Sequence, residues 1–381
     1  MSLYPNSSGL GTSTESRTGR SASAALLRGI DPFLVGMALL LSGFGVLMIY
    51  SATRDTQLAA GLDPKIYLAK QSVFIVLGVF AMLVVATVDY RRLVDLSPVL
   101  YAGSIVLLIA VLFAPAVKGA HGWFELGQFQ FQPAEFSKLV VITSLAAYGG
   151  AQRNELDGRR VRTMAAIAAF PTMLVFLEPD LGGALVYGVV FLTILWVAGA
   201  GRRHLLTLVG VGVALSILTV RLGILKGYQV RRLTSFIGTP GYSVKNSKIA
   251  IGSGGMTGRG LFSGAQTKFG FVPERHTDFI FSVVGEQLGL IGGAILLVGL
   301  GFLCWRILRI AGQSRDSTGT LLCAGVLAVF VFQIFENVGM TMQLMPVTGI
   351  PLPLISYGGS STITEFMALG LVLNVHRNRF R

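Results

Sequence analysis

Charge is scarce in this sequence. Charged residues make up 13% of its 381 positions and hydrophobic residues 52%, which is about half the charged share of a soluble domain, so a water-soluble globular chain is excluded. Cysteine is nearly absent: Cys304 and Cys323 have no metal-ligand spacing and no framework to close, and both are expected as free thiols. Histidine is as sparse, and His121, His204, His276 and His376 form no ligand pair on one helical face, which argues against a zinc site. Long polar stretches are also few. Beyond the N-terminal tail there is one, from Leu222 to Asp278, and the chain is organised around it.

The abundant feature is the apolar run. Runs long enough to cross a hydrocarbon core of roughly 30 Å lie near 31–52, 70–88, 97–116, 133–148, 164–177, 181–199, 204–221, 279–304, 317–345 and 352–374. They predict an all-α integral membrane protein with ten transmembrane helices and a large extracytoplasmic loop between helices 7 and 8. Residues 1–28, rich in Ser, Gly, Thr and Arg without apolar period, read as a disordered cytoplasmic tail, and 29–381 as one membrane domain. The first run is long and no clear cleavage site follows it, so it reads as a signal anchor.

A net charge of +13 could suggest nucleic acid, but the basic residues are spread by loop. Arg91 and Arg92; Arg153, Arg159, Arg160 and Arg162; Arg202 and Arg203; Arg306, Arg309 and Arg315; and Arg377, Arg379 and Arg381 fall in alternate loops or the tail. By the positive-inside rule these are cytoplasmic, with both termini. The 222–278 loop is then external. It carries Lys226, Arg231, Arg232, Lys245, Lys248, Arg259, Lys268 and Arg275 against Glu274 and Asp278, and this basicity asks for an anionic partner.

The second outer loop ends in FQPAEFSKL, Phe131–Leu139. Pro133 suits a first helical position and Glu135 the N-terminal dipole, so a well-capped helix is one reading. Lys138, however, carries an ammonium into the membrane on the face of Glu135, and ionisable residues there are functional candidates. Glu336, in mid-span, is another. In EPDLG, Glu178–Gly182, Asp180 is placed to cap the following helix, and that role is sufficient alone. IGSGGMTGRG, Ile251–Gly260, invites a phosphate-cradle reading, but it lacks the Gly-Lys-Ser/Thr ending and the preceding strand of a P-loop; backbone N–H groups approaching a lipid pyrophosphate are the remaining use. Val244–Ile251, mixing Lys245 and Lys248 with apolar residues, suits a short interfacial segment. Asp278 opens the apolar run Phe279–Val284, where an N-cap or first-turn acid is expected.

FQPAEFSKL, EPDLG, KIAIGSGG, PERHTDFIF and PLPLISYGG stand in the order found in the SEDS family (shape, elongation, division and sporulation), and the sequence resembles that family from Asp31 to its end. The wording of PERHTDFIFSVVGEQLGL is nearest to the rod-shape elongation branch, with the division and sporulation branches as close relatives. The resemblance implies a ten-helix fold and a peptidoglycan glycosyltransferase. In that reaction the 4-hydroxyl of one lipid II attacks the anomeric carbon of a lipid-linked glycan and releases undecaprenyl pyrophosphate. It matches Asp278 to the family's essential aspartate, as base or as ligand of a pyrophosphate-bound Mg²⁺ or Mn²⁺. It also implies substrate binding by Glu135, Lys138, Trp123 and Asp180, while the basic loop adds Lys248 and Arg259. A class B penicillin-binding protein is the implied transpeptidase partner. Many members have Arg before Trp123, where this chain has Gly122, leaving His121 or Lys118 as stand-ins. A lipid II flippase would also suit a basic cavity with intramembrane charges, but no internal repeat favours it, and a mere scaffold leaves the buried charges unexplained.

Overall fold

The structure is a computed structural model that describes residues 29, 31–115, 122–127, 129–151, 156–223, 227, 230 and 238–379; the expected disordered tail, 1–28, lies outside them. Among the described residues the fold is helical apart from one small hairpin and an isolated bridge between Leu156 and Ala200. Its helices are α1 Pro32–Ala59, α2 Ile66–Thr87, α3 Tyr90–Asp95, α4 Ser97–Val111, α5 Pro133–Gly150, α6 Gly158–Leu177, α7 Leu181–Val197, α8 Arg202–Arg221, α9 Tyr242–Gly254, α10 Ala265–Lys268, α11 Ile280–Gly312, α12 Ser317–Thr341 and α13 Gly359–Asn378. Between α4 and α5, β1 (Phe124–Leu126) pairs antiparallel with β2 (Phe129–Phe131), Phe124 opposite Phe131.

Each of the ten apolar runs falls on a helix. Among the described residues six helices, α1, α2, α6, α8, α11 and α12, are long and apolar enough to cross a membrane, and α4 and α7 are shorter apolar helices. Several boundaries differ from the sequence reading, among them those of the last and first helices. The last helix starts at Gly359 and not near 352, because Pro351 and Pro353 hold the preceding segment out of helix. The first continues to Ala59.

Aspartates start several helices. Asp31 Oδ1 accepts the N–H groups of Phe33 (3.0 Å) and Leu34 (3.2 Å) with Pro32 in the first turn, Asp157 caps α6 through Arg160 N, and Asp316 caps α12 through Gly319 N. Each satisfies donors that a helix start leaves open. Polar contacts then sort the connections into two ends. At one, Arg306 pairs with Asp31 (2.5 Å), Tyr90 Oη donates to Asp316 (2.6 Å) and Ser317 Oγ to the Gly150 carbonyl (2.8 Å). At the other, the hairpin, the 238–279 segment and the 342–358 segment meet.

The bundle core is built on α12, which packs against α11, α5 and α7, while α13 lies along α2. Helix α8 buries no residue, so its apolar surface is left for lipid. The feature least expected from sequence is a break in α11 at Gly289, whose φ is 66°. A break in lipid strands backbone groups that must find partners inside the protein. Here the 255–260 segment supplies them. Leu290 N donates to the Gly255 carbonyl (2.9 Å), Ile291 N to Met256 (3.1 Å), and Arg259 N and Gly260 N to Glu286 and Gln287 (both 3.0 Å). The approach is so close that a Cβ at Gly258 would come within 2.1 Å of the Gln287 carbonyl.

Candidate active site at the loop end of the bundle

The loop is anchored by Glu286 and Gln287, in the turn before the break at Gly289. Glu286, 1% exposed, accepts from Gln266 N (2.7 Å), Thr267 N (2.9 Å) and Thr267 Oγ1 (2.5 Å), so its carboxylate holds the start of α10. Gln287 Oε1 accepts from Ser51 Oγ (2.7 Å) and Phe262 N (3.3 Å), tying the loop to α1. Arg275 ties it again, donating from Nε to the Ala52 carbonyl (2.7 Å) and from Nη2 to Thr56 Oγ1 (2.6 Å); burial lowers its pKa from the usual guanidinium value.

These anchors deliver Pro273–Phe279 to the bundle, where three successive carbonyls are gripped. Tyr357 N donates to His276 O (2.9 Å), Ser356 Oγ to Thr277 O (2.6 Å) and Asn337 Nδ2 to Asp278 O (2.8 Å). Asn337 is wholly buried and also donates to Ile350 O at 2.8 Å. The His276 ring meets Tyr67 (5.0 Å between centroids) and Tyr357 (5.6 Å), and burial pushes the Tyr357 hydroxyl up to about 12, keeping it neutral. Asp278 is half-buried. The expected alternative role for it was helix capping, and the geometry differs: the N-cap of α11 is Phe279, without a side-chain cap, and no acid lies in the first turn.

Glu135 and Lys138 sit lower, in α5, as a buried ion pair of 2.7 Å. With Leu139, Val329, Phe330, Gln333, Thr364, Glu365 and Ala368 they line a cavity of only about 10 Å³. That volume admits no substrate group, so in this conformation the pair serves itself. Asp180 caps α7 through Gly183 N at 2.7 Å, as its position suggested. Beside it Glu178 is fully buried with neither carboxylate oxygen hydrogen-bonded, and burial, then the charge of Asp180, pushes its pKa up to about 8. Trp123 lines an apolar cavity of about 450 Å³ with Leu107, Pro115, Phe124 and Phe131. Lys248 and Arg259 are exposed; Lys248 Nζ donates to Gln343 Oε1 (3.0 Å) and Arg259 Nε to the Ser253 carbonyl (2.8 Å). The glycine-rich segment is no free cradle, since the N–H groups of Gly258, Arg259 and Gly260 are taken by Gly254, Glu286 and Gln287. Lys226, Arg231 and Arg232, like Lys118 and His121, lie outside the described residues.

Among the described residues no group of three His, Cys, Asp or Glu could hold a metal ion.

A family model described as "Cell cycle protein", FtsW/RodA/SpoVE, matches residues 32–380. The chain belongs to the FtsW/RodA/SpoVE family. It is 33% identical to the peptidoglycan glycosyltransferase MrdB of Escherichia coli K12 over 92% of this chain and 94% of that protein. It is 35% identical to the stage V sporulation protein E of Bacillus subtilis 168, over 91% and 97%. Among solved structures it resembles a chain of a peptidoglycan synthase complex that coordinates polymerization and crosslinking, with TM-score 0.77, 33% identity and coverage of 92% and 99%. It also resembles the rod shape determining protein RodA of Thermus thermophilus, with TM-score 0.69, 33% identity and coverage of 92% and 98%.

Within this FtsW/RodA/SpoVE chain, Gly122 occupies the position where the resemblance led one to expect arginine. A Cβ there would stand 3.2 Å from Glu178 Oε2, so the glycine faces the unpartnered carboxyl. Sequence reasoning missed Glu286, Gln287, Asn337 and Glu365. The rule that singled out Glu135 and Lys138, ionisable groups inside apolar helices, would have found Glu286 and Glu365 as well.

Proposed function

We propose that this chain is a peptidoglycan glycosyltransferase that polymerises lipid II at the outer face of the cell membrane, in the elongation branch of its family. The observation that carries the chemistry is the clamped segment of Asp278: the consecutive carbonyls of His276, Thr277 and Asp278 are each held by a donor from the 337–357 region. Such a segment is preorganised. Its Asp278 carboxylate takes the proton of the acceptor 4-hydroxyl as that oxygen attacks the anomeric carbon of the donor glycan. The new glycosidic bond forms as the bond from that carbon to the pyrophosphate oxygen breaks, and undecaprenyl pyrophosphate leaves with the electron pair. The exposed Lys245, Lys248 and Arg259 raise the local concentration of the anionic lipid at the same end. Trp123 and Asp180 border the donor or acceptor, and Glu135 and Lys138 join the site on opening of their cavity. A divalent cation, where one is used, arrives with the pyrophosphate, since Mg²⁺ is commonly held by one or two carboxylates together with substrate phosphates.

The helix order supports ten spans, both termini in the cytoplasm and 222–278 outside, because the end bearing Arg91, Arg159, Arg202, Arg306 and Arg377 is the positive one. Residues 29–381 then form one membrane domain. A class B penicillin-binding protein supplies the crosslinking that a glycan polymer needs. Four groups freed by the α11 break pair with the 255–260 segment and do not line a path, which favours the enzyme over a flippase. Purified protein incubated with lipid II in detergent, where flipping has no meaning, is expected to yield glycan chains on a gel. Absence of polymer with and without an added class B penicillin-binding protein would overturn the assignment. Labelling of a Ser263→Cys variant by an impermeant reagent from outside tests the orientation.

A further inference from the structure

The chemistry just described makes no use of Glu365, although a carboxyl inside an apolar helix is costly to keep. Glu365 lies six residues into α13, about 9 Å along its axis at 1.5 Å per residue, and is 6% exposed. One face of it is engaged by the loop before α13: Oε2 accepts the Leu354 N–H at 2.8 Å. Leu354 is held in the left-handed region, φ 64°, which a leucine rarely adopts without a partner to fix it. Two residues on, Ser356 Oγ accepts from Leu352 N (2.8 Å) and donates to Thr277 O (2.6 Å), and Tyr357 N donates to His276 O (2.9 Å). The loop that Glu365 holds at one end therefore grips, at its other end, the segment carrying Asp278.

The second face of Glu365 opens on the cavity of about 10 Å³ shared with Glu135 and Lys138. Gln333 Oε1 and Thr364 Oγ1 line it too, both buried and both without a hydrogen-bond partner. A space of that size between polar groups suits one water molecule and no part of a lipid-linked sugar, so Glu365 acts through the loop and not on the substrate.

We infer that Glu365 is a positioning residue for the reaction: through Leu354 it fixes the loop that clamps the Asp278 segment, and through a one-water cavity it joins that loop to the Glu135–Lys138 pair. The inference rests on reading Asp278 as the base. Gln at this position still presents an oxygen to the Leu354 N–H, whereas Ala leaves that donor buried and unmet. Glu365→Ala should lower kcat for lipid II polymerisation on the order of tenfold to a hundredfold, as a small misplacement of a catalytic group does, with KM little changed. Glu365→Gln should restore most of the rate. Hydrogen exchange of the amides in 352–357 should quicken in Glu365→Ala and stay near wild type in Glu365→Gln. Equal losses in Ala and Gln, or unchanged exchange in Glu365→Ala, would overturn the positioning role. Should Glu365→Ala not fold, Ser356→Ala breaks the same chain further along: it is expected to lose kcat and protection in 352–357, and normal values of both would overturn the inference. If wild-type protein makes no polymer while the exchange pattern follows this order, the glycosyltransferase reading has failed and the link between Glu365 and the loop stands.

Discussion

The Asn337 side-chain amide donates to the Asp278 carbonyl and to that of Ile350, both at 2.8 Å. One buried residue of α12 thus fastens the end of the long loop and the start of the 350–358 segment to each other. Leu shares the Cγ branching of Asn but has no donor, so Asn337→Leu leaves two carbonyls unmet at a cost of about 1–3 kcal/mol for each that stays dry. A lower melting temperature in detergent is expected, together with weakened lipid II polymerisation. A variant with wild-type stability and rate would show that the clamp is dispensable.

Asp278→Asn should leave α11, which starts at Ile280, intact, because Asn serves a helix start about as well as Asp. The same substitution removes the proton acceptor, for which a loss of roughly 10² to 10⁴ in rate is typical. Near-normal glycan synthesis by Asp278→Asn, measured by gel on monodisperse protein, would sink the base assignment. Partial restoration by excess Mn²⁺ would instead make the carboxylate a ligand of a pyrophosphate-bound cation.

Much of this arrangement is readable in the sequence, and the part that is not has a physical reason. Asp180 before a helix, Pro133 in a first turn and Glu135 with Lys138 on one face are local patterns, and the structure places each as its spacing suggests. Asp278 was hard to place because a single residue shifts the cap: the helix starts at Ile280 with Phe279 at the N-cap position, one residue after Asp278. The break at Gly289 was hidden because glycine is common in membrane helices, and only its φ and the partner segment some thirty residues away in sequence reveal it. Asn337 was equally silent, since its bonds reach across 59 residues to Asp278 and 13 to Ile350.

The Glu135–Lys138 pair separates two kinds of buried charge. Lys138→Met alone strands an unpaired carboxylate, which typically costs 3–5 kcal/mol, about as much as any broken buried pair. The double substitution Glu135→Gln with Lys138→Met removes both charges and should fold better than the single one. If the pair joins the site on opening, the well-folded double variant makes no polymer. Full activity in that variant would return the pair to a purely structural role.

Gly289→Ala is expected to be severe. Its φ of 66° disfavours a side chain, and the added Cβ would meet Gly258 N at 2.4 Å and the Met256 carbonyl at 2.6 Å. The left-handed conformation alone costs about 1–2 kcal/mol for a non-glycine residue. Gly301→Ala in the same helix, where a Cβ meets nothing within 4 Å, serves as control and should be neutral or slightly stabilising. Equal melting temperatures for the two variants would mean that α11 can straighten at little cost.

Glu178 gives the protein a pH-dependent stability with a definite sign. Its carboxyl is fully buried with no hydrogen-bond partner, and its pKa is raised from 4.5 to about 8 by burial and by Asp180. In the unfolded chain it ionises near 4.5, so between that pH and about 8 the folded protein binds the extra proton, and stability falls as pH rises across this window. Below about 4.5 both states are protonated and above about 8 both are ionised, so the residue adds no slope outside it. At about 1.4 kcal/mol per pKa unit the change is on the order of a few kcal/mol, ample for a thermal scan in detergent at several pH values. Glu178→Gln has the shape of the neutral acid and no proton to lose, so its stability should be flatter between pH 5 and pH 8 (the window follows from the raised value) and exceed wild type at the upper end. Gly122→Lys offers the opposite test, placing an ammonium against the carboxyl that Gly122 faces; an adjacent positive charge lowers a carboxyl pKa, so the slope should move to lower pH. Parallel stability curves for wild type and Glu178→Gln would mean that Glu178 is ionised in the fold and has found a partner.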